Sequence, residues 1–343
     1  MGNSETVLVT GGSGAVGVNC ILQLLQKGYS VKTTLRAISK KDEVIEMLKY
    51  GGIVTFDNLT FIEADLTQDT NWHEAMKSCT YVLHVASPTH IESKDENAMI
   101  GPAVDGVLRV LKAARDAGIK RVVLTSSFGA LGFSNKDRNT ETTEANWTDP
   151  NEKGLSAYEK SKGLAERAAW DFMKTEGGSL ELAVINPVAI FGPALGAGKS
   201  PSLGLLKMLL DGSMKAVPNI PLNVVDIRDV ADLHIRAMTN PDANGQRFIA
   251  SANGEISMPE IAILLKNKMP RVAEKVSTKT IPDWVLCIAA LFNTPAKQAV
   301  LLLKINRRVS NAKAKNILSW IPISNNEEAI LASVESMIKF GMI

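Results

Sequence analysis

The chain has 343 residues, 45% of them hydrophobic and 22% charged, and a net charge of +2. That is enough chain for one large domain or two ordinary ones around a sizeable core. The near-neutral balance, without a basic stripe, argues against nucleic acid or an anionic membrane as the main partner.

The first residues, MGNSETVLVTGG, run straight into a strand with no apolar leader or cleavage site, so a cytoplasmic protein is expected. Met1-Gly2 with Thr6 matches a myristoylation pattern on paper, but a strand over Val7 to Thr10 leaves no free arm for it. The longest apolar stretch, Val285 to Phe292, falls well short of the ~20 residues a membrane span needs. Cys20, Cys79 and Cys287 form neither a CxxC nor a zinc pattern and fit a reducing compartment.

Short apolar runs alternate with amphipathic segments through the first half. Strands are predicted over Thr6 to Thr10, Ser30 to Leu35, Leu59 to Glu63, Thr80 to Val85, Arg121 to Thr125 and Leu180 to Ile185. Helices are predicted over Gly14 to Lys27, Asp42 to Lys49, Trp72 to Met76, Pro102 to Ala117 and Ala157 to Thr175. Strands apolar throughout are buried on both faces, so the pattern predicts an α/β fold with a doubly wound, parallel Rossmann sheet. After Asn186-Pro187 the glycines and prolines from Gly192 to Gly204 mark a loop-rich stretch. Asn223 to Ile227 reads as one more strand returning to the sheet. From about residue 251 helices alternate with breaks at Pro259, Pro270, Pro282 and Pro295. The expected division is a nucleotide-binding domain, residues 1–186 and 223–250, and a smaller, mostly helical substrate domain, residues 187–222 and 251–343.

Thr10-Gly-Gly-Ser-Gly-Ala-Val-Gly17 lies between the first strand and first helix. Gly11 permits the tight turn, Gly14 lets backbone approach a pyrophosphate, and Gly17 lets helix and strand pack closely. The helix N-terminus, with Ser13, Ala15 and Val16, supplies free N–H groups to phosphate. The second strand ends in Arg36, where an acid would select NAD. A guanidinium there suits the 2′-phosphate of NADP, and Lys40 or Lys41 offers a second charge. The glycine spacing resembles the extended short-chain dehydrogenase/reductase superfamily. That resemblance implies that Asp65 and Leu66 contact the adenine, and that Val85, Ala86 and Ser87 let the chain approach the cofactor.

Tyr158 and Lys162 form YxxxK on one face of the long helix, and Ser127 follows the strand Arg121 to Thr125 with Ser126 as its rival. Hydride addition to a carbonyl leaves an alkoxide that needs a proton. A free tyrosine with a pKa near ~10 gives and regains that proton poorly near neutrality. A nearby lysine cation is expected to lower it, with Ser127 donating a hydrogen bond to the same oxygen. The segments VLHVASP, VVLTSS, INPVAIFGPAL and VVDIRDVADLHIRAM make residues 5 to 250 similar to the dihydroflavonol reductase and yeast-type aldehyde (methylglyoxal) reductase group. By that likeness Lys162 also bonds the nicotinamide ribose, and Pro187, Val188 and Ser202 lie along the nicotinamide half. Asp226, Arg228 and Asp229 read as a structural ion-pair and capping cluster.

The expected activity is NADPH-dependent reduction of aldehydes or ketones. A nucleotide-sugar epimerase or dehydratase of the same fold is the alternative, against which Arg36 and Ala103 speak. A non-catalytic NADP sensor is the other, against which the retained Tyr158 and Lys162 speak. In the resembled plant enzymes a polar residue five positions after the serine bonds flavonoid hydroxyls. Here that position is Gly132, among Phe128, Leu131 and Phe133, so a compact, largely apolar carbonyl compound is expected. No metal is expected, since His73, His84, His90 and His234 are scattered; His84 reads as a packed core residue. A monomer or homodimer is expected.

Overall fold

The computed structural model describes residues 5–88, 95–198 and 200–343. Met1 to Ser4, with most of the lipidation pattern, and His90 lie outside the described residues. The first half folds as β1 (Thr6–Thr10), α1 (Ala15–Gln26), β2 (Ser30–Leu35), α2 (Lys41–Tyr50), β3 (Leu59–Glu63), α3 (Trp72–Met76), β4 (Tyr81–His84), α4 (Asn97–Asp116), β5 (Arg121–Thr125), α5 (Ala157–Thr175) and β6 (Glu181–Pro187). The second half holds β7 (Ala189–Phe191), α6 (Pro201–Leu210), β8 (Val217–Pro218), β9 (Pro221–Leu222), β10 (Val224–Asp226), α7 (Ile227–Thr239), β11 (Gln246–Ala250), β12 (Ile256–Ser257), α8 (Met258–Lys268), β13 (Thr280–Ile281) and the helices α9 (Asp283–Ala289), α10 (Thr294–Lys304), α11 (Ala312–Leu318) and α12 (Asn326–Lys339).

The central sheet has seven parallel strands in the order β11-β6-β5-β4-β1-β2-β3. Side chains alternate across it. Val7, Val9, Leu83, Val123 and Ile185 pack on one face with Ile21 and Leu24 of α1 and Val230 and Leu233 of α7. Leu8, Val82, Val122, Leu124 and Val184 pack on the other with Val110 and Leu111 of α4 and Phe172 of α5. A third core, with Phe191, Leu206, Val217, Val224, Ile261, Leu265 and Ile330, holds the C-terminal lobe together. Among the described residues no helix is long and apolar enough to cross a membrane.

Three expectations change. The strand near Asn223 to Ile227 does not rejoin the central sheet: β10 pairs with β7 in a separate two-stranded sheet. The seventh central strand is β11, which pairs with β6 from Gln246↔Ala183 to Ala250↔Pro187. Its sequence QRFIA begins with two polar residues, so it lacks the continuous apolar run of a buried strand. Finally, α4 starts at Asn97 and holds Pro102 inside it; the proline sits far enough into the helix for tertiary packing, not the ring, to set where it begins.

Candidate active site

The strand order reverses between β1 and β4, where an open α/β sheet places its ligands. The glycine loop sits there. Gly11 adopts φ +73°, a left-handed turn that favours glycine. A Cβ on Gly17 would lie 2.3 Å from the Gly11 carbonyl oxygen, so only glycine lets α1 start this close to the loop. Gly14 caps α1 without a side-chain hydrogen bond, and the first turn, with Ala15 and Val16, holds no acid. Its N–H groups and partial positive charge are left for an anion, so the loop fits a dinucleotide pyrophosphate, with Ser13 exposed beside it.

Thr10 pins the neighbouring strand end to this loop. Its hydroxyl accepts from the N–H groups of Val85 (3.1 Å) and Ala86 (3.0 Å) and pairs with His84 Nδ1 at 2.9 Å. Burial holds His84 neutral, pushed down to about 3, with the Lys162 charge adding to that. Asp65 closes a turn after β3 by accepting from the Thr67 N–H and hydroxyl, both at 2.8 Å, and Leu66 packs towards Gly106. These hydrogen bonds, with the charges of Arg36 and Arg109, hold the Asp65 carboxyl below its usual range despite partial burial. Arg36 is exposed at the end of β2, whereas Lys40 is already paired with Glu43 at 2.6 Å. The Lys41 ammonium lies 5.6 Å from the Phe61 ring centre. Arg36 therefore carries the expectation of NADPH selectivity. Arg36→Ala should raise KM for NADPH far more than KM for NADH; equal use of both by the unaltered protein would remove Arg36 from that role.

A capping box fixes the start of α5. Ser156 Oγ accepts from the Glu159 N–H at 3.3 Å, and the Glu159 carboxylate accepts from the Ser156 N–H at 2.8 Å. Tyr158 and Lys162 then follow one turn apart, with the ammonium 5.8 Å from the Tyr158 ring centre and 3.5 Å from the Thr125 carbonyl oxygen. The two serines after β5 are told apart by their partners. Ser126 donates to Glu166 at 2.5 Å, while Ser127 Oγ is buried with no partner among the described residues. A point 3.1 Å from Ser127 Oγ, where a Gly129 Cβ would stand, is also 3.1 Å from Glu159 Cγ. The free hydroxyl is therefore beside the start of α5.

Glu166, absent from the expected site, is its hub. Its carboxylate is 1% exposed and accepts from Ser126, Asn186 Nδ2 (2.8 Å), Arg247 Nε (2.5 Å) and Trp170 Nε1 (3.2 Å). Asn186 also donates to the Ser127 carbonyl at 3.2 Å. The Arg247 guanidinium carbon lies 3.7 Å from the Trp147 ring centre, and that of Arg167 lies 4.4 Å from the same ring. Lys162, Glu166, Ser126, Ser87 and Leu66 line a cavity of about 20 Å³, enough for roughly one water. The sequence signal for Glu166 was its place four residues after Lys162 on the buried face of α5. Arg247 gave no signal, since it meets Glu166 only through the pairing of β11 with β6.

Burial dominates the electrostatics. It pushes the Tyr158 hydroxyl up to about 12, with the Glu159 charge adding to the rise. The expected lowering of this tyrosine is thus not met, because burial and the Glu159 charge both disfavour the phenolate. Burial pushes Lys162 down to about 8, opposed by the Glu166 charge. Because that value is lowered, the ammonium is present below about pH 8 and is lost as pH rises through it. Carbonyl reduction should therefore hold its kcat/KM below about pH 8 and decline above, with Glu166 and His84 as the charged and titratable neighbours. A rate independent of pH up to about 10 would separate Lys162 from the rate.

Other expected residues are more dispersed. Val188 follows β6 and donates its N–H to the Ala250 carbonyl at 3.1 Å. Ser202 lies in the first turn of α6, whose cap is Ser200; no described hydrogen bond joins Ser202 to the site. Phe128, Leu131 and Phe133 are buried in the main core and offer no open apolar wall, and a Cβ on Gly132 would lie 2.1 Å from Phe128 Cζ. Asp226 caps α7 and ion-pairs with Arg228 at 2.7 Å, and Asp229 accepts from Trp320 Nε1 at 3.0 Å. Among the described residues no His, Cys, Asp or Glu group is arranged to hold a metal.

Comparison with known proteins agrees with this geometry. A model of the NAD dependent epimerase/dehydratase family matches residues 7–250. A Candida albicans protein provisionally named NADPH-dependent methylglyoxal reductase GRP2 is 36% identical over 292 residues, covering 79% of this chain and 85% of that protein. Dihydroflavonol 4-reductase of Hordeum vulgare is 33% identical over 277 residues, covering 78% and 76%. The crystal structure of Gre2 from Candida albicans in complex with NADPH superposes with a TM-score of 0.78 at 26% identity, covering 98% of this chain and 99% of that one. With its glycine loop, its YxxxK helix and its serine at the strand end, the chain belongs to the NAD-dependent epimerase/dehydratase family.

Proposed function

We propose that the protein reduces compact aldehydes or ketones to alcohols with NADPH. The observation that carries this reading is the free Ser127 hydroxyl standing by the Tyr158–Lys162 helix while Ser126 is held by Glu166. The relatives with reductase names support it.

The glycine loop from Gly11 to Gly17 would hold the pyrophosphate, Arg36 the 2′-phosphate, and Lys162 with Pro187 and Val188 the nicotinamide half. When bound, NADPH supplies the hydride. The rest falls to side chains. Ser127 donates a hydrogen bond to the carbonyl oxygen and orients it. Tyr158, kept protonated by burial, gives its proton to the oxygen as negative charge develops there. Lys162, mostly charged at neutral pH, stabilises the phenolate left behind. Residues 187–222 and 251–343 form the substrate-binding part, whose closure excludes water and strengthens these hydrogen bonds.

Flavonoids are outside this substrate class, because Gly132 supplies neither a donor nor room for one. The test is NADPH oxidation by the purified protein against aldehydes, ketones, keto esters and dihydroquercetin. Several simple carbonyl compounds should be reduced, with little turnover of dihydroquercetin. Efficient turnover of dihydroquercetin with none of the simple compounds would overturn the reading.

A further inference from the structure

Near the reacting end of the sheet a guanidinium has two buried nitrogens without a hydrogen-bond partner among the described residues. Arg307 follows α10 and the buried Ile305. The chain is fixed on both sides of it. Asn306 donates from Nδ2 to the carbonyls of Asp137 (2.7 Å) and Thr140 (2.6 Å). The Arg307 carbonyl accepts from Asn223 Nδ2 (3.0 Å), and the Arg308 carbonyl accepts from the Thr142 N–H (2.8 Å). This staple ties the segment to the loop after β5 and to the residue preceding β10. The Arg307 guanidinium carbon lies 6.0 Å from the ring centre of Phe128, the residue after Ser127.

The side chain's Nε and Nη2 are buried and have no hydrogen-bond partner among the described residues. The other buried or neighbouring arginines bond through Nε or to carbonyls, although Arg247 Nη2 is likewise without a partner among the described residues. Arg247 gives its Nε to Glu166, Arg121 gives its Nε to Glu181, and Arg308 bonds the carbonyls of Arg138 and Asn139. Burial pushes Arg307 down to about 10, and the charge of the exposed Glu255 opposes that, so the group remains a cation at neutral pH. A neutral phenyl ring at this distance is at the outer limit of a cation–π contact and leaves both N–H groups unmet. Nε and Nη2 form one edge of the guanidinium fork, with two parallel N–H bonds at the spacing of the two oxygens of a carboxylate.

We propose that Arg307 anchors a carboxylate carried by the carbonyl substrate, so that the substrate is an oxo acid or a carboxylate-bearing aldehyde. The proposal rests on the carbonyl-reduction reading and narrows its substrate class. The carboxylate is a spectator: hydride and proton still go to the carbonyl carbon and oxygen, NADPH becomes NADP, and the product leaves as a hydroxy acid. Since Phe128, Leu131 and Phe133 are spent in the core, a charged anchor rather than an apolar wall sets the preference.

The test compares each acid with its neutral ester in the NADPH-loaded protein: benzoylformate against methyl benzoylformate, and 4-carboxybenzaldehyde against methyl 4-formylbenzoate. In at least one pair the acid should have a kcat/KM about tenfold or more above the ester, chiefly through KM. Arg307→Gln should abolish that preference while leaving the ester within about threefold of its original value, and Arg307→Lys, which keeps charge but loses the fork, should fall between. Benzoate should inhibit ester reduction competitively in the unaltered protein, and benzamide should not, a measurement that needs no variant. Equal use of acid and ester in both pairs, equal loss of both in Arg307→Gln, or no inhibition by benzoate would each overturn the proposal. Turnover of esters without acid preference removes the Arg307 anchor alone. Absence of turnover for every carbonyl compound removes carbonyl reduction and the anchor together.

Discussion

Replacing Tyr158 by phenylalanine should lower kcat for carbonyl reduction by about 10²- to 10⁴-fold, the usual contribution of a positioned general acid. The change removes one oxygen and its proton and keeps the ring that faces the Lys162 ammonium at 5.8 Å. The capping box of α5 uses Ser156 and Glu159, so the helix start is untouched. NADPH affinity should therefore stay within about twofold, and the loss should lie in kcat and kcat/KM alike, the pattern of an interaction made only in the transition state. Steady-state kinetics with a fluorescence titration of NADPH separates the two. A variant retaining most of its turnover would show that another group supplies the proton.

Glu166→Leu should cost about 3–5 kcal/mol of stability, the usual loss when one member of a buried ion pair is removed. The Glu166 carboxylate is the acceptor for four side-chain donors, and its loss leaves the Arg247 guanidinium, 7% exposed, without its anion. Arg247→Leu should be costly for the converse reason. The double variant should lose less than the sum of the two, because neither charge is then buried alone. Urea denaturation of the four proteins measures this. Small, additive losses of well under about 1 kcal/mol each would mean that solvent reaches the pair and that Glu166 does not organise the strand ends.

The sequence by itself determined the alternating half of the fold and the chemistry-bearing motifs. The reason is that these are local. Short β-forming runs bounded by turn and helix signals mark themselves locally, so Thr6–Thr10, Ser30–Leu35, Leu59–Glu63 and Arg121–Thr125 could be read to the residue even though Ser30–Leu35 carries Lys32, Thr33 and Thr34. The turn at Gly11 and the close approach at Gly17 demand glycine, and YxxxK places two side chains on one helix face by period alone. The S-x-x-E box at Ser156 to Glu159 was equally local and available. Tertiary structure decided everything that depends on a distant partner. It gave the seventh position in the sheet to Gln246–Ala250 and left Val224–Asp226 to pair with Ala189–Phe191. It gave the Ser126 hydroxyl to Glu166 and left Ser127 Oγ without a hydrogen-bond partner among the described residues. It turned three aromatic and aliphatic residues from an expected pocket wall into core, and brought Arg307 to Phe128 from 179 residues further along the chain. It also reversed the sign expected for Tyr158, because a pattern in sequence shows which charges are near one another along a helix but not how much water folding removes from around them.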